Sequence, residues 1–196
     1  MYWHVILGTI ARLMPIAATF PYVKDILHGN TRPNTLTWGV WALITIIAVL
    51  AQFNAGASWS IVMVIADSLS IFIIFGLCLY GFGYRTYGWL EAICFLLAII
   101  AIVAWQVTHQ PVLTIIFSIV ADLFAALPTV VKAWRDPWSE TPYPWLMVAF
   151  GGLCAVASTT IFDEANILFP AYLFVINAIT GFIALIGRHS KMPSIA

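Results

Sequence analysis

Charged side chains are scarce in this sequence of 196 residues, which has eight Lys or Arg and eight Asp or Glu. They make up 8% of the chain, whereas soluble domains carry about 25%. So few charges could not cover a globular surface in water, which excludes a soluble enzyme. The net charge of zero leaves no basic excess to meet phosphates and argues against a nucleic-acid partner. With 63% hydrophobic residues, the composition instead predicts an integral membrane protein in a lipid bilayer.

The sequence also lacks the residue clusters that carry enzyme chemistry or hold metals. Its three cysteines lie in apolar segments without metal-binding spacing, and its four histidines lie near the ends of apolar segments. The sequence shows no nucleophile–base pair and no glycine-rich phosphate loop. We therefore expect no enzymatic activity, no cofactor and no metal.

Apolar segments of membrane-crossing length recur along the chain. A hydrocarbon core about 30 Å thick requires about 20 apolar residues per helix. Loops rich in Gly, Pro and Asn separate these segments. The pattern predicts an all-α polytopic membrane protein with seven transmembrane helices. The predicted spans are 3–24, 35–54, 58–80, 89–107, 112–134, 145–162 and 168–187.

Basic residues gather on one side of the predicted membrane protein. Seven of the eight Lys and Arg fall at the loops after spans one, three, five and seven. Because basic loops stay in the cytoplasm, this face is predicted to be cytoplasmic. The N-terminus is then outside and the C-terminus is cytoplasmic. The seven residues are Lys24, Arg32, Arg85, Lys132, Arg135, Arg188 and Lys191.

The first three predicted spans align with the last three when the chain is shifted by 107 residues. Pro21 then falls on Pro128, and Trp38 falls on Trp145. Because each repeat has an odd number of spans, a linking fourth helix returns the second repeat to the same orientation. Such a parallel repeat places a substrate site near the midplane, between the halves. The predicted units are a first three-helix bundle at 1–80, a linker helix at 81–110 and a second three-helix bundle at 111–196.

The 3+1+3 layout, the outside N-terminus and a Pro near the inner end of spans one and five resemble the SWEET sugar transporters and the wider PQ-loop superfamily. The resemblance covers nearly the whole chain and implies a divergent, bacterial-type member in the inner membrane. Sugar-transporting members carry an Asn in spans three and seven. When three residues are allowed for in the second outer loop, Asn177 matches it in span seven, and Asp67 occupies the position in span three. The resemblance implies that these two residues contact a substrate.

Four strongly polar residues lie near the middle of predicted spans. Each is about nine or ten residues from the outer end of its span, which is about 13–15 Å at a rise of about 1.5 Å per residue. Ionised groups at this depth are costly and typically line a pathway or a site. One Arg cannot neutralise two Asp, which leaves a carboxylate for proton coupling or for a cationic substrate. The residues are Arg12, Asp67, Asp122 and Asn177.

Two interpretations of these residues stay open. In the functional interpretation, Asp67 and Asn177 contact the substrate. Asp122 and Arg12 then tune the charge of the site or relay a proton. In the structural interpretation, Arg12 forms an ion pair with Asp67 or Asp122 that only fixes the packing of helices. The sequence does not decide which Asp is the partner of Arg12.

Prolines and tryptophans mark the inner parts of the predicted spans. Pro21 and Pro128 remove backbone hydrogen bonds and bend their helices, so they are candidate hinges between the halves. Alternatively, each proline only marks the last turn before a loop. Trp38, Trp41 and Trp145 are candidate aromatic contacts for a substrate, or anchors at the membrane interface.

The sequence favours a membrane transporter that works by alternating access on a small polar solute. A sugar, an amino acid or a vitamin-like compound fits this description, and transport as a uniporter and proton-coupled transport both stay open. The alternative is a non-transporting receptor or structural membrane protein that reuses the SWEET-like fold. An open cavity that reaches Asp67 and Asn177 would favour transport. A filled core with Arg12 locked between the two aspartates would favour the alternative. The oligomeric state also stays open.

Overall fold

The computed structural model describes residues 2–54, 60–85, 88–108 and 110–190. Within these ranges the chain is all-helical, with seven α-helices and no β-strand. Lys191, one of the basic residues that predict the orientation, lies outside the described residues. The helices are α1 (Trp3–Leu27), α2 (Thr35–Asn54), α3 (Ser60–Leu77), α4 (Trp89–Val107), α5 (Pro111–Arg135), α6 (Pro142–Ser158) and α7 (Glu164–Ser190).

The helices follow the apolar segments of the sequence, so the prediction of seven helices is confirmed. The main differences concern the starts of α6 and α7. α6 begins at Pro142, before the predicted span, because a residue without a backbone N–H fits the first turn of a helix. α7 begins at Glu164, also before the predicted span. Asp163 Oδ1 accepts a hydrogen bond from the backbone N–H of Asn166 at 2.9 Å, which caps this earlier start.

Four of the described helices are long and apolar enough to cross a membrane. They are Trp3–Leu27, Trp89–Val107, Val112–Arg135 and Asn166–Arg188. The shorter apolar helices are Thr35–Leu50, Asp67–Phe82 and Pro142–Ser158. Large apolar side chains such as Phe20, Trp89 and Ile186 are exposed on the outside of the bundle, as is typical of surfaces that face lipid. These helices are compatible with an integral membrane protein.

Six helices close into a ring through their contacts. Their order around the ring is α1, α3, α2, α5, α7 and α6, and α6 packs back against α1. The first three helices therefore meet the last three at two seams, α1 against α6 and α2 against α5. α4 packs against α5 and, less extensively, against α2. It therefore stands beside the ring and is not one of its six members.

Small residues allow the helices at both seams to approach closely. Where α2, α4 and α5 meet, the buried core contains several alanines, among them Ala101, Ala121 and Ala125. Where α1 meets α6, a Cβ on Gly151 would lie only 3.2 Å from the carbonyl oxygen of Ala11. Lipid is as apolar as the helices, so close van der Waals packing of this kind is a main source of association between them.

Gly152 of α6 lies against α7 without room for a side chain. A Cβ at this position would lie 2.8 Å from the backbone nitrogen of Phe174 and 3.0 Å from the carbonyl oxygen of Pro170. Because these backbone atoms cannot move aside, we expect Gly152→Ala to lower the free energy of unfolding by about 1–3 kcal/mol. Thermal unfolding of the purified protein in detergent measures the loss.

Gly76 of α3 provides the matched control, because a Cβ there would meet nothing within 4 Å. Gly76→Ala is expected to keep or raise the unfolding midpoint, since Ala favours a helix over Gly by about 1 kcal/mol. An unchanged midpoint for Gly152→Ala would contradict the close packing of α6 on α7.

Candidate functional site

A cavity of about 380 Å³ lies inside the ring and is lined by all six ring helices. Its volume is within the range of about 300–1,000 Å³ that is usual for small-molecule sites. Among the described residues, α4 contributes nothing to the lining. Apolar side chains predominate, and polar groups occupy a few positions. The polar lining residues other than tryptophan are Thr19, Thr45, Asp67, Ser70, Asp122, Thr129, Asn177 and Thr180.

The cavity brings together six residues that the sequence singled out. They come from α2, α3, α5, α6 and α7, which are far apart in the chain. Side chains at similar depth in neighbouring helices share one level of the bundle, and those that face inward meet there. The six residues are Trp38, Trp41, Asp67, Asp122, Trp145 and Asn177.

The carboxylate of Asp122 has a partner to which the sequence did not point. The hydroxyl of Tyr172, on α7, donates a hydrogen bond to Asp122 Oδ2 at 2.6 Å. This contact joins α5 to α7 beside the cavity and occupies one of the two carboxylate oxygens. The ring of Tyr172 also packs near Phe169, which lines the cavity, with 6.1 Å between ring centroids. A tyrosine within an apolar span carries no charge, so nothing in the sequence distinguishes it from the other aromatic residues.

Asp67 and Asn177 occupy matching positions of the internal repeat, but they differ in burial and in hydrogen bonding. Asn177 is buried, and its Nδ2 donates to the carbonyl oxygen of Leu173 at 2.8 Å, one turn earlier in α7. Asp67 is only partly buried. Within the part of the chain that the structure describes, its carboxylate has no hydrogen bond and no ion pair. The Asp67 carboxylate is therefore available to a ligand in the cavity.

Tyr22 and three tryptophans form what we call the aromatic floor of the cavity (Tyr22, Trp38, Trp41 and Trp145). The ring centroid of Trp38 lies 5.0 Å from that of Trp41 and 6.5 Å from that of Trp145. Tyr22 packs against this group, 5.4 Å from Trp38 and 5.9 Å from Trp145. Trp38 and Trp145 are buried in the cluster, which favours a role at the cavity over anchoring in lipid. The indole N–H groups of Trp38 and Trp41 have no acceptor at hydrogen-bond geometry among the described residues, although Trp41 lies beside Asp122 and Trp38 beside Tyr22.

Arg12 is exposed on α1 and does not line the cavity. It forms no ion pair with Asp67 or Asp122, and the salt bridge that the described residues do form joins Lys132 to Glu140. The ion pair of the structural interpretation is therefore not formed among the described residues, and Arg12 does not lie beside the carboxylates, where the functional interpretation expects it. α1 is apolar on most faces, so the sequence indicated the depth of Arg12 but not its direction. With about 3.6 residues per turn, position 12 falls at the edge of the exposed face of the helix.

Pro21 and Pro128 lie inside continuous helices, near the ends at which α1 and α5 finish. Neither proline lines the cavity, and Pro128 is buried. Pro21 directly precedes Tyr22 of the aromatic floor, and Pro128 lies one turn before Lys132. Their role as hinges stays a prediction.

Glu140 is the centre of a buried polar network at the end of the ring where α1 and α5 finish. Its side chain is 0% exposed, and its Oε1 lies 2.6 Å from Nζ of Lys132. Its Oε2 accepts hydrogen bonds from Tyr22 Oη at 2.9 Å and from Trp145 Nε1 at 3.1 Å. Both carboxylate oxygens thus have donors, as the burial of a charge requires.

Further contacts tie the end of α1 and the loop after it to the end of α5 and the loop after it. The backbone N–H of Arg32 donates to the carbonyl oxygen of Ser139 at 2.9 Å, and Lys132 Nζ donates to the carbonyl oxygen of Arg32. Thr141 Oγ1 donates to Asp25 Oδ2 at 2.7 Å. Tyr22 and Trp145 join the aromatic floor to Glu140, and all three side chains are buried, so they fill this end of the cavity. We call this set the closing network, and its members are Tyr22, Asp25, Thr31, Arg32, Lys132, Ser139, Glu140 and Thr141.

The sequence did not mark Glu140 as part of a buried network. It lies between Ser139 and Thr141 in a polar loop, where charges are normally solvated. One signal was nevertheless present in the internal repeat. The shift by 107 residues places Lys132 on Asp25, so equivalent positions of the two halves carry opposite charges. Both residues belong to the closing network.

No family model, no curated protein and no solved structure matches this chain. Within the described ranges, no group of three or more His, Cys, Asp or Glu side chains is placed to hold a metal ion. Its own geometry defines the candidate site. It consists of a central cavity with two carboxylates, an aromatic floor, and a network of polar contacts that closes one end.

Lys132→Met removes the counter-charge of a fully buried carboxylate. We expect this variant to lose about 3–5 kcal/mol of unfolding free energy, because Glu140 then stays buried without a cation. The double variant Lys132→Met/Glu140→Gln should recover most of the loss, since a neutral amide needs no counter-charge. Equilibrium unfolding in mixed micelles measures both variants.

Lys24→Met is the matched control, because Lys24 is an exposed lysine in the last turn of α1. Its unfolding free energy is expected to stay within about 0.5 kcal/mol of the wild-type value. The role of the ion pair is contradicted if Lys132→Met is as stable as Lys24→Met, or if the double variant is no more stable than Lys132→Met alone.

Proposed function

We propose that the protein is a membrane transporter for a small polar solute and works by alternating access. The observation that carries the proposal is the central cavity, which reaches Asp67, Asp122 and Asn177 and is closed at one end by contacts between the two halves of the ring. Its volume of about 380 Å³ has room for a sugar, an amino acid or a vitamin-like compound. A filled interior would instead have favoured a receptor or a structural protein.

The order of helices around the ring supports a 3+1+3 repeat of seven spans. One half of the ring runs α1, α3, α2, and the other runs α5, α7, α6. In the repeat, α1 corresponds to α5 and α6 corresponds to α2. Exchanging the two halves therefore converts the α1–α6 seam into the α5–α2 seam, as a two-fold axis along the membrane normal requires. The position of α4 beside the ring suits a linker helix. The proposal therefore includes membership of the SWEET and PQ-loop superfamily.

Residues that the internal repeat matches meet in the same cluster or line the same cavity, which also supports this architecture. Trp38 and Trp145 pack together in the aromatic floor. Asp67 and Asn177 line the cavity from α3 and α7. In a parallel repeat, paired positions of this kind face each other across the axis between the halves.

The distribution of basic residues supports a cytoplasmic position for the closing network. Lys24, Arg32 and Lys132 lie at this end of the ring, together with Arg135 and Arg188. With this end in the cytoplasm, the N-terminus is outside and the cavity is closed toward the cytoplasm. We propose the inner membrane of a bacterium as the location.

Opening of the closed end would separate the halves without breaking the buried ion pair. Lys132, Glu140 and Trp145 all belong to the second half, so they move together. The contacts that cross between the halves are hydrogen bonds, such as those from Tyr22 to Glu140 and from Thr141 to Asp25. Each contributes about 0.5–3 kcal/mol, and water can replace it. The Lys132–Glu140 ion pair therefore stays intact when the cavity opens to the cytoplasm.

Uptake into proteoliposomes tests the proposal directly. The protein is expected to accumulate or exchange at least one solute from a panel of sugars, amino acids, amines and vitamin-like compounds, with or without a pH gradient. Asp67→Asn and Asn177→Ala are each expected to lower the rate by about tenfold or more, because they remove polar contacts of the cavity. Loss of the pH dependence in Asp122→Asn would support the proton relay.

Asp163→Asn serves as the control for the loss of a carboxylate. Asp163 is exposed on the loop before α7, and an amide oxygen can still accept the capping bond from Asn166. Its transport rate is expected to match that of the wild type. Absence of transport for every solute in the panel would contradict the proposal and favour a receptor or a structural role.

The closing network predicts that Tyr22→Phe favours the conformation that is open to the cytoplasm. The variant loses only the hydroxyl that donates to the buried Glu140, a contact worth about 1.5 kcal/mol or about tenfold in population. Cys78 is a native reporter, because it is fully buried beside Tyr22. In a background without Cys94 and Cys154, a membrane-impermeant thiol reagent should label Cys78 about tenfold faster in inside-out vesicles.

Labelling of Cys78 from the opposite side of the membrane provides the control for this measurement. Tyr22→Phe should not increase labelling in right-side-out vesicles, because the proposed opening is to the cytoplasm. Equal labelling rates for Tyr22→Phe and wild type in inside-out vesicles would contradict the closing role of the Tyr22–Glu140 contact.

A further inference from the structure

The walls of the cavity contain two carboxyl groups and no compensating cation among the described lining residues. Asp67 and Asp122 line the cavity, whereas no Lys, Arg or His is among its described lining residues. A carboxylate in an apolar interior is costly unless donors or a cation accompany it. Asp122 receives the hydroxyl hydrogen of Tyr172, but Asp67 has no partner in the described ranges. The cavity therefore has one carboxylate that a positive ligand could compensate.

Several other polar groups of the cavity present acceptors to a ligand. The hydroxyl hydrogens of Thr45 and Thr180 are used by carbonyl oxygens about one turn earlier in their own helices, at 3.1 Å and 2.8 Å. Asn177 also gives one amide hydrogen to its own helix. The hydroxyl oxygens keep lone pairs for a ligand. These oxygens can accept a hydrogen bond from a hydroxyl group or an N–H group of a ligand.

The aromatic floor adds a surface that attracts cations. Trp38, Trp41 and Trp145 all line the cavity, and their ring centroids lie within 6.5 Å of one another. Indole has the strongest cation–π interaction among the aromatic side chains. Clustered indole rings together with a carboxylate are a chemical combination that recognises an ammonium group.

We propose that the solute is a small organic cation, an amine or a quaternary ammonium compound without a carboxylate. Asp67 supplies the principal counter-charge, Asp122 adds to the negative potential, and the tryptophans of the aromatic floor contact the alkyl groups around the nitrogen. An amino acid fits less well, because the described lining offers no cation to its carboxylate. This inference rests on the proposed function, since it names the substrate class of the same cavity.

The test compares ligands that match in shape and differ in charge. The probes are choline, its neutral isostere 3,3-dimethylbutan-1-ol, and glycine betaine, which adds a carboxylate to the quaternary ammonium group. Binding to the purified full-length protein is measured by isothermal titration calorimetry. We expect choline to bind at least tenfold more tightly than either comparison ligand. Equal affinities for choline and the neutral isostere, or tighter binding of betaine, would overturn the inference.

Variants then assign the charge recognition to Asp67. Asp67→Asn is expected to weaken choline binding at least tenfold, and Asp122→Asn is expected to weaken it less, because Tyr172 already occupies one oxygen of that carboxylate. Asp163→Asn, outside the cavity, should bind choline like the wild type. Unfolding midpoints of all variants establish that the proteins are folded. Unchanged choline binding by a folded Asp67→Asn protein would overturn the assignment.

Uptake of the same probes separates this inference from the proposed function. Accumulation of choline but not of glucose or alanine supports both. Accumulation of a neutral sugar without choline overturns the inference and leaves transport in place. Binding of choline without uptake of any solute leaves the cation site in place and contradicts transport.

Discussion

Burial of the Glu140 carboxylate constrains the whole closed end of the bundle. A charge with no exposed surface is tolerated only where a cation and neutral donors converge on it. Here Lys132 comes from α5, Tyr22 from α1 and Trp145 from the start of α6. The three helices must therefore approach in one arrangement. The same arrangement brings Trp145 against Trp38 and so forms the floor of the cavity above it.

Glu140, Asp67 and Asp122 differ in how many of their carboxylate oxygens have hydrogen-bond donors. Glu140 is fully buried and has a donor on each oxygen, so it holds helices together. Asp67 lines a cavity and has no partner in the described part of the chain. Asp122 is intermediate, with one oxygen bound to Tyr172. A structural carboxylate therefore differs from a substrate-binding one in how many donors its oxygens already have, and not in burial alone.

The sequence predicted the number of helices and the residues that share the cavity, because length, apolarity and depth can be read directly from spacing. It did not predict the direction in which Arg12 points, since a helix that is apolar on most faces has no polar side to indicate orientation. It also did not predict that Glu140 is buried. The polar composition of the loop around Glu140 predicts a solvated loop. Glu140 is buried because Lys132 and Tyr22 contact it, and these contacts exist only in the folded chain.

The position of α4 has a consequence for assembly. Because α4 stands beside the ring and lines none of the cavity among the described residues, its side chains are free of the constraints of the site. Its covalent continuity still keeps the two halves in one molecule, so each meets the other at an effective concentration of about millimolar or more. Contact between the two halves of the ring is thus independent of how much protein a membrane contains.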